Sequence, residues 1–343
     1  MKSKFLSIVI PAYNSQFTIG RLLGSVGRSN NVDFEEIEVI VADDKSDDGT
    51  AKEVKKFVKF IKFLKLVKLK VNSGPARARN TGVKLARGKI ILFLDADVVL
   101  FKNTLSEVIN SFKEDVDMFA LTGVWSREQK NHKFFPKFKA LRDWSYWINE
   151  RDPKNYYYLF STRIAAIDRK LFLRLGGFDT TYKAALIEDI ELTYRIARRY
   201  AVVFNPKVMV KHEFEDFLPI ARKYFWRSYY WSRLYRARKK FDPVATTSKE
   251  AATTVSAALA TGFLLLSIFL AAVEHHFHLI SAALFLFFLI IHLWGVRKFL
   301  IFTAREEGVV FTVKSFFTGL VLYLIILSGA VYSYVADRNQ GQA

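Results

Sequence analysis

Cysteine is absent from all 343 residues. That excludes a disulfide framework, a thiolate zinc site and a cysteine nucleophile, and it suits a reducing compartment. Nucleic-acid-binding motifs are missing too. The formal charge of +19 therefore points to an anionic membrane surface or an anionic substrate, and no nucleic-acid partner is expected. No internal repeat is visible. The start does not read as a leader, because Met1-Lys2-Ser3-Lys4 runs at once into the apolar run Phe5–Ile10, which Pro11 breaks. That run is too short for a secretory signal, so the N-terminal part is expected to stay cytosolic. Acidic residues are missing from 217–241, and from about 251 onward charge of either sign nearly vanishes.

What is present changes character along the chain. The first 214 residues alternate apolar runs with charged, helically spaced ones. Strands are predicted at Leu6–Ile10, Glu38–Ala42, Leu66–Val71, Ile90–Leu94, Met118–Thr122 and Val202–Phe204. Helices are predicted at Thr18–Val26, Ala51–Leu64, Ala76–Leu85 and Glu188–Tyr200. Such alternation implies an α/β domain with a mostly parallel sheet between helices. Ligands of such sheets bind beyond the carboxyl ends of the strands. Those ends carry Pro11-Ala12-Tyr13-Asn14, Asp43-Asp44, Asn72-Ser73-Gly74 and Asp95-Ala96-Asp97. The stretch 116–214 is less regular, with an aromatic run near Trp144–Phe160.

Residues 215–248 interleave arginines and lysines (Arg222 to Lys240) with Tyr224, Phe225, Trp226, Tyr229, Tyr230, Trp231 and Tyr235. Rings and cations together suit a bilayer interface. Three apolar segments follow, at about 251–273, 277–296 and 313–335. Each is long enough to cross ~30 Å of hydrocarbon as a helix. Arg297, Lys298 and Arg305 fall in the expected loop between the second and third. Positive-inside logic puts that loop on the cytosolic side with the Arg222–Lys240 cluster. The expectation is a multi-pass protein of the cell membrane with a cytosolic catalytic domain over 1–214, an interfacial segment over 215–248 and spans within 249–338.

Asp95 and Asp97 follow a buried strand at i and i+2. Two carboxylates so placed can hold a hard divalent cation that bridges diphosphate oxygens; standing alone, the same pair is a solvated turn. It does not stand alone. Before it, in order, come Ser7-Ile8-Val9-Ile10-Pro11-Ala12-Tyr13-Asn14, Val41-Ala42-Asp43-Asp44 through Thr50, and Asn72-Ser73-Gly74-Pro75 through Gly82. After it come Gly176-Gly177-Phe178-Asp179 and Glu188-Asp189-Ile190-Glu191-Leu192. Over residues 5–214 these five motifs resemble the inverting glycosyltransferases of family 2, which have the GT-A fold, a Rossmann-like mixed sheet flanked by helices.

The resemblance implies a nucleotide-sugar donor, a UDP- or GDP-sugar, and a divalent cation, Mn²⁺ or Mg²⁺. It implies that Pro11, Ala12, Tyr13, Asn14, Asp43 and Asp44 line the base and ribose. Arg79 is implied to lie near the nucleotide and diphosphate, and Asp95, Ala96, Asp97, Gly177 and Glu188 along the rest of the donor. Asp95 and Asp97, with His212, make the implied metal set. Asp189 matches the catalytic base; its plainer role would be helix capping. Asp47 and Asp48 read as caps of the following helix, Asn80 as a tie between helix and sheet, and Phe178 and Asp179 as sugar or acceptor contacts.

One departure bears on the product. Processive polysaccharide synthases of the family carry Gln-x-x-Arg-Trp on an interfacial helix. Here the region reads Ala221-Arg222-Lys223-Tyr224-Phe225-Trp226-Arg227, which favours transfer of a single sugar. The expected activity is hexosyl transfer to a hydroxyl of a membrane-associated, lipid-linked glycan. The alternatives are a polyprenyl-phosphate sugar synthase, whose anionic acceptor needs little help from a base, and a membrane scaffold with a degenerate transferase domain.

Overall fold

The computed structural model describes residues 4–151, 158–181, 187–241 and 247–340. Met1–Ser3 and the centre of the aromatic run, 152–157, lie outside these. The chain divides into two compact units: Met1–Ala140 with Arg151–Phe214, and Leu141–Glu150 with Glu215–Ala343.

The first unit is built on eight strands: β1 (Leu6–Ala12), β2 (Ile37–Asp43), β3 (Leu64–Lys68), β4 (Ile90–Leu94), β5 (Val98–Leu100), β6 (Ala120–Trp125), β7 (Ile164–Asp168) and β8 (Val203–His212). Their order across the sheet is β3-β2-β1-β4-β7-β6-β8-β5. β1 and β2 are buried at every position, as strands covered on both faces must be. Burying each Val, Leu or Ile there contributes about 1.5–3 kcal/mol.

β3, β2, β1 and β4 run parallel. β7 then enters antiparallel to both β4 and β6, while β6 and β8 run parallel. The directions have a simple consequence. The carboxyl ends of β1, β2, β4, β6 and β8 and the amino end of β7 all meet one rim of the sheet.

Four helices surround the parallel part: α1 (Ile19–Gly27), α2 (Thr50–Phe57), α3 (Pro75–Leu85) and α4 (Thr104–Glu114). α2 ends at Phe57, short of the expected Leu64. Its apolar spacing carries past the helix, but Leu64 is claimed by the sheet, where it pairs with Val39. β3 accordingly lies two residues earlier than expected. The irregular stretch contains α5 (Phe134–Ile148), β7, α6 (Arg169–Arg174) and α7 (Glu188–Ile196).

A buried carboxylate pins the opposite edge of the sheet. Glu38 on β2 accepts hydrogen bonds from Ser7 Oγ at 2.7 Å, Arg87 N–H at 2.6 Å and Lys65 Nζ at 3.2 Å. Gly88 N–H in turn donates to Ser7 Oγ at 2.8 Å. A Cβ on Gly88 would come within 2.6 Å of the Ser7 backbone nitrogen.

The second unit is helical: α8 (Phe217–Arg238), α9 (Ser248–Ala272) and α10 (His278–Gln340). Among the described residues, Ser248–Ala272 and His278–Asp337 are long and apolar enough to cross a membrane. α10 is not one rod. Gly308 has φ 82° and ψ 175°, and Thr312 Oγ1 donates to Thr303 Oγ1 at 3.1 Å. In a straight helix those two residues would stand about 13.5 Å apart along the axis, so the chain doubles back at Gly308. Arg297, Lys298 and Arg305, expected in a loop, are helical; the first half of α10 simply continues past its apolar run to the glycine.

Candidate active site

The rim is organised by Arg79 on α3. Its guanidinium is buried; Nη2 donates to Asp95 Oδ1 at 2.7 Å and Nη1 to Glu188 Oε1 at 2.9 Å. Burial works against the charge, but the two carboxylates more than offset it and raise the pKa further. One cation thus ties the end of β4 to the first turn of α7. The family resemblance implied that Arg79 lies near the nucleotide and diphosphate, whereas its two terminal nitrogens are spent on protein carboxylates. Glu188, expected against the donor, is one of them and is itself buried.

Asp189 is the next residue on α7. Its Oδ1 accepts the Ile190 N–H at 2.8 Å, and the N-cap position belongs to Ile187, which makes no side-chain cap. Glu191 pairs with Arg195 at 2.5 Å. The two glutamates flanking Asp189 are therefore both ion-pair partners. α7 is held in place by Thr193, whose Oγ1 donates to Asp189 O at 2.6 Å and accepts from Phe160 N–H at 2.9 Å.

At the other end of the rim β5 pairs antiparallel with β8, setting Val98 opposite His212. His212 Nε2 faces Asp97 Oδ2 at 3.5 Å. Partial burial alone would raise the Asp97 pKa, but His212 and the charge of Arg163 hold it below the usual carboxylate range. A carboxylate oxygen and an imidazole nitrogen this far apart fit two neighbouring positions around one small divalent cation, and both donor types suit Mn²⁺. His212 Nδ1 is buried without a hydrogen-bond partner among the described residues, so Asp97 is the polar group that the ring faces. Asp95 does not join this pair: among the described residues no three His, Cys, Asp or Glu groups come within metal-holding distance.

The nucleotide end is built from loops that brace one another. Asp44 is buried, and both of its oxygens hold the next loop, accepting from Ser73 N–H at 2.9 Å and Gly74 N–H at 2.7 Å. Asp43 Oδ1 accepts from Ser46 N–H at 2.9 Å, and Asp43 Oδ2 takes no hydrogen bond among the described residues. Pro11 and Ala12 close β1 and are buried, whereas Tyr13 is 52% exposed. Asn14, at φ 49°, accepts from Asp47 N–H at 3.1 Å on its side-chain oxygen and donates its backbone N–H to Ser46 Oγ at 3.0 Å. Asp48 is the acid that serves α2, accepting from Thr50 N–H at 2.9 Å.

The glycine pair is structural in its immediate contacts. Gly176 and Gly177 have φ of 84° and 74°, the left-handed region that side chains disfavour. The turn they make delivers Phe178 to a two-point clamp, Asn80 Nδ2 to Phe178 O at 2.8 Å and Phe178 N to Asn80 Oδ1 at 2.9 Å. A Cβ on Gly177 would meet Asn80 Oδ1 at 2.7 Å. Phe178, read as a substrate contact, is buried against Phe93 and Phe172. Asp179 accepts from Thr181 in a surface turn. Ala96 is buried between the two aspartates.

Arg163 was missed by sequence reasoning. No motif marks it, and it enters the rim only because β7 runs antiparallel to β4.

Compared with known proteins, residues 7–178 match the family described as Glycosyl transferase family 2. The poly(ribitol-phosphate) beta-N-acetylglucosaminyltransferase TarS of Staphylococcus aureus is 37% identical over 126 residues, 35% of this chain and 22% of that protein. A poly(ribitol-phosphate) beta-glucosyltransferase of Bacillus spizizenii is 28% identical over 191 residues, 55% of this chain and 26% of the relative. This chain thus covers only about a quarter of the length of these relatives. Among solved structures, the mannosyltransferase PcManGT from Pyrobaculum calidifontis, in complex with GDP-Man and Mn²⁺, gives a TM-score of 0.57 at 18% identity, covering 97% of this chain and 88% of that one. S. aureus TarS 1–349 with UDP gives 0.50 at 20% identity over 89% and 92%. Identities this low speak for the fold alone, and that fold is GT-A. The matched segment takes in half of the chain, including Asp95-Ala96-Asp97 and the three motifs before it, so the chain belongs to glycosyl transferase family 2.

Proposed function

We propose that this transferase moves one sugar, with inversion, from a nucleoside diphosphate sugar to a hydroxyl of a membrane-associated glycan acceptor. The observation that carries the reading is the Asp95–Arg79–Glu188 bridge, which holds the donor motif beside the helix that bears Asp189.

Asp43, with one carboxylate oxygen uncommitted among the described residues, accepts a ring or ribose donor of the nucleotide, and Tyr13 covers the base. Asp44 acts indirectly, by fixing the 72–74 loop. Asp189 accepts the proton of the acceptor hydroxyl as its oxygen bonds to the anomeric carbon. The bond to the diphosphate breaks on the opposite face, the proton rests on Asp189, and the nucleoside diphosphate departs. The N-terminal end of α7 favours the ionised form of Asp189 beforehand. Asp97 and His212 are the residues that would hold a Mn²⁺ or Mg²⁺, whose chemistry is to neutralise charge on the diphosphate. The mannosyltransferase seen with GDP-Man and Mn²⁺ and the TarS structure with UDP lend support to such a donor and cation.

The helical unit supports a membrane setting. Leu265, Leu279, Ile290 and Val309 are each more than 60% exposed, while Thr253, Ser281, Thr303 and Ser333 are buried. Apolar side chains outside and small polar ones inside is the arrangement that suits helices packed in lipid. The basic and aromatic α8 then belongs at the headgroup level, and the catalytic unit is cytosolic.

Asp189→Asn tests the reading. Transfer should fall at least about 100-fold, in line with the loss of a positioned general base, with donor affinity unchanged by calorimetry. Retained transfer would remove Asp189 from the mechanism.

A further inference from the structure

Beside a metal ion, a side-chain cation can also meet the departing diphosphate, and Arg79 is not available for it. Both of its terminal nitrogens are committed to Asp95 and Glu188. Arg163 is placed to take that role. β4 and β7 pair antiparallel with Leu94 opposite Ile164. One step further along that register sets Arg163 beside Asp95, at the start of the Asp95-Ala96-Asp97 segment.

Aromatic rings, not acids, hold the Arg163 guanidinium. It lies over Trp125 at 4.5 Å and over Phe214 at 5.6 Å. Phe214 packs edge-on to His212 at 4.7 Å, and His212 faces Asp97. Lys139 Nζ sits 5.1 Å from the same Phe214 ring, which adds to the positive field. Arg163 is partly exposed and makes no hydrogen bond or ion pair with any described residue. A stacked guanidinium keeps its planar fork of donors free and pre-oriented, the geometry that phosphate oxygens accept. Its charge already reaches Asp97.

We infer that Arg163 is a diphosphate-binding residue, held by the Trp125 and Phe214 rings so that it contacts phosphate oxygens of the donor and of the leaving nucleoside diphosphate. This rests on the transferase reading above. Phosphate oxygens on the acceptor have the same chemistry, but the uncommitted fork lies beside the cation-binding pair Asp97 and His212, which favours the donor.

The test compares nucleotides that differ by one phosphate. The full-length protein and its R163Q and R163K variants, in detergent with Mn²⁺, are titrated calorimetrically with UDP, UMP, GDP and GMP. For whichever base binds, R163Q should weaken the diphosphate about 10- to 100-fold, as expected for losing a charged hydrogen-bonding partner, and the monophosphate by less than about threefold. R163K should recover part of the loss, since it keeps the charge but not the fork. If R163Q does not fold, R163K alone carries the test, with a severalfold loss confined to the diphosphate.

An equal loss for both nucleotides, or none for the diphosphate, overturns the assignment. So does a raised acceptor KM with unchanged diphosphate affinity, which would give the guanidinium to an acceptor phosphate. Failure of the unmodified protein to bind any of the four nucleotides overturns the transferase reading and this assignment with it. Normal binding with unaltered discrimination in R163Q overturns the assignment alone.

Discussion

The two units handle polar groups in opposite ways. In the sheet unit the interior is apolar, and two of its buried charges are met by several partners at once: Arg79 by Asp95 and Glu188, and Glu38 by Ser7, Arg87 and Lys65. In the helical unit large apolar side chains face outward, and small hydroxyls turn inward to backbone carbonyls, as Ser281 does to Phe263 O at 2.9 Å and Ser228 to Ile326 O at 2.6 Å. Water rewards the first arrangement and hydrocarbon the second. Stability should therefore depend on charge pairing in one unit and on close helix packing in the other.

The largest effect that would break this contrast is at Arg79. Arg79→Met removes the cation that Asp95 and Glu188 share and should cost about 3–5 kcal/mol in chemical denaturation. A cost below about 1 kcal/mol would mean that the bridge contributes little to the sheet unit. Glu38→Gln comes next, at about 1.5–3 kcal/mol, and its effect should depend on pH. Burial alone would raise the Glu38 pKa, but the Arg87 N–H, Ser7 and Lys65 hold it below the ordinary glutamate value. Its contribution is therefore complete above that value and is lost as the pH falls through the lowered one. The gap in Tm between parent and variant should narrow over the acid range; a constant gap would contradict the assignment of charge to Glu38.

The helical unit should be sensitive to size rather than charge. A Cβ on Gly295 would lie 2.3 Å from Thr253 Oγ1, so Gly295→Val should cost about 1–3 kcal/mol through overpacking, read as a lower melting temperature in detergent. Ser281→Ala, which removes one hydrogen bond between helices, should cost only about 0.6 kcal/mol. If the serine change proved the more damaging of the two, polar bonding rather than close approach would hold these helices together.

Much of the rim was legible in the sequence because its parts are local. Strand ends followed at once by Asp43-Asp44 or Asp95-Ala96-Asp97 advertise themselves through hydropathy and type. The partnerships were not legible. Arg79 and Glu188 are 109 residues apart, and no periodicity relates them, so Arg79 read as a substrate contact. β7 is five residues long within the irregular stretch, and its reversed direction is fixed only by pairing with β4 and β6. Without that reversal Arg163 has no reason to be noticed. Phe178 shows the converse error: beside a motif glycine it looked like a ligand contact, yet its ring completes the core cluster with Phe93 and Phe172.

The Arg79 bridge also sets a rule for recombination among related transferases. A segment carrying the 188–196 helix cannot be exchanged by itself, because its first residue is the counter-ion of an arginine encoded far upstream. A transferase that received this helix without an arginine at the matching α3 position would bury its first acid without that ion pair. The two helices would then have to move together, as one block spanning α3 to α7.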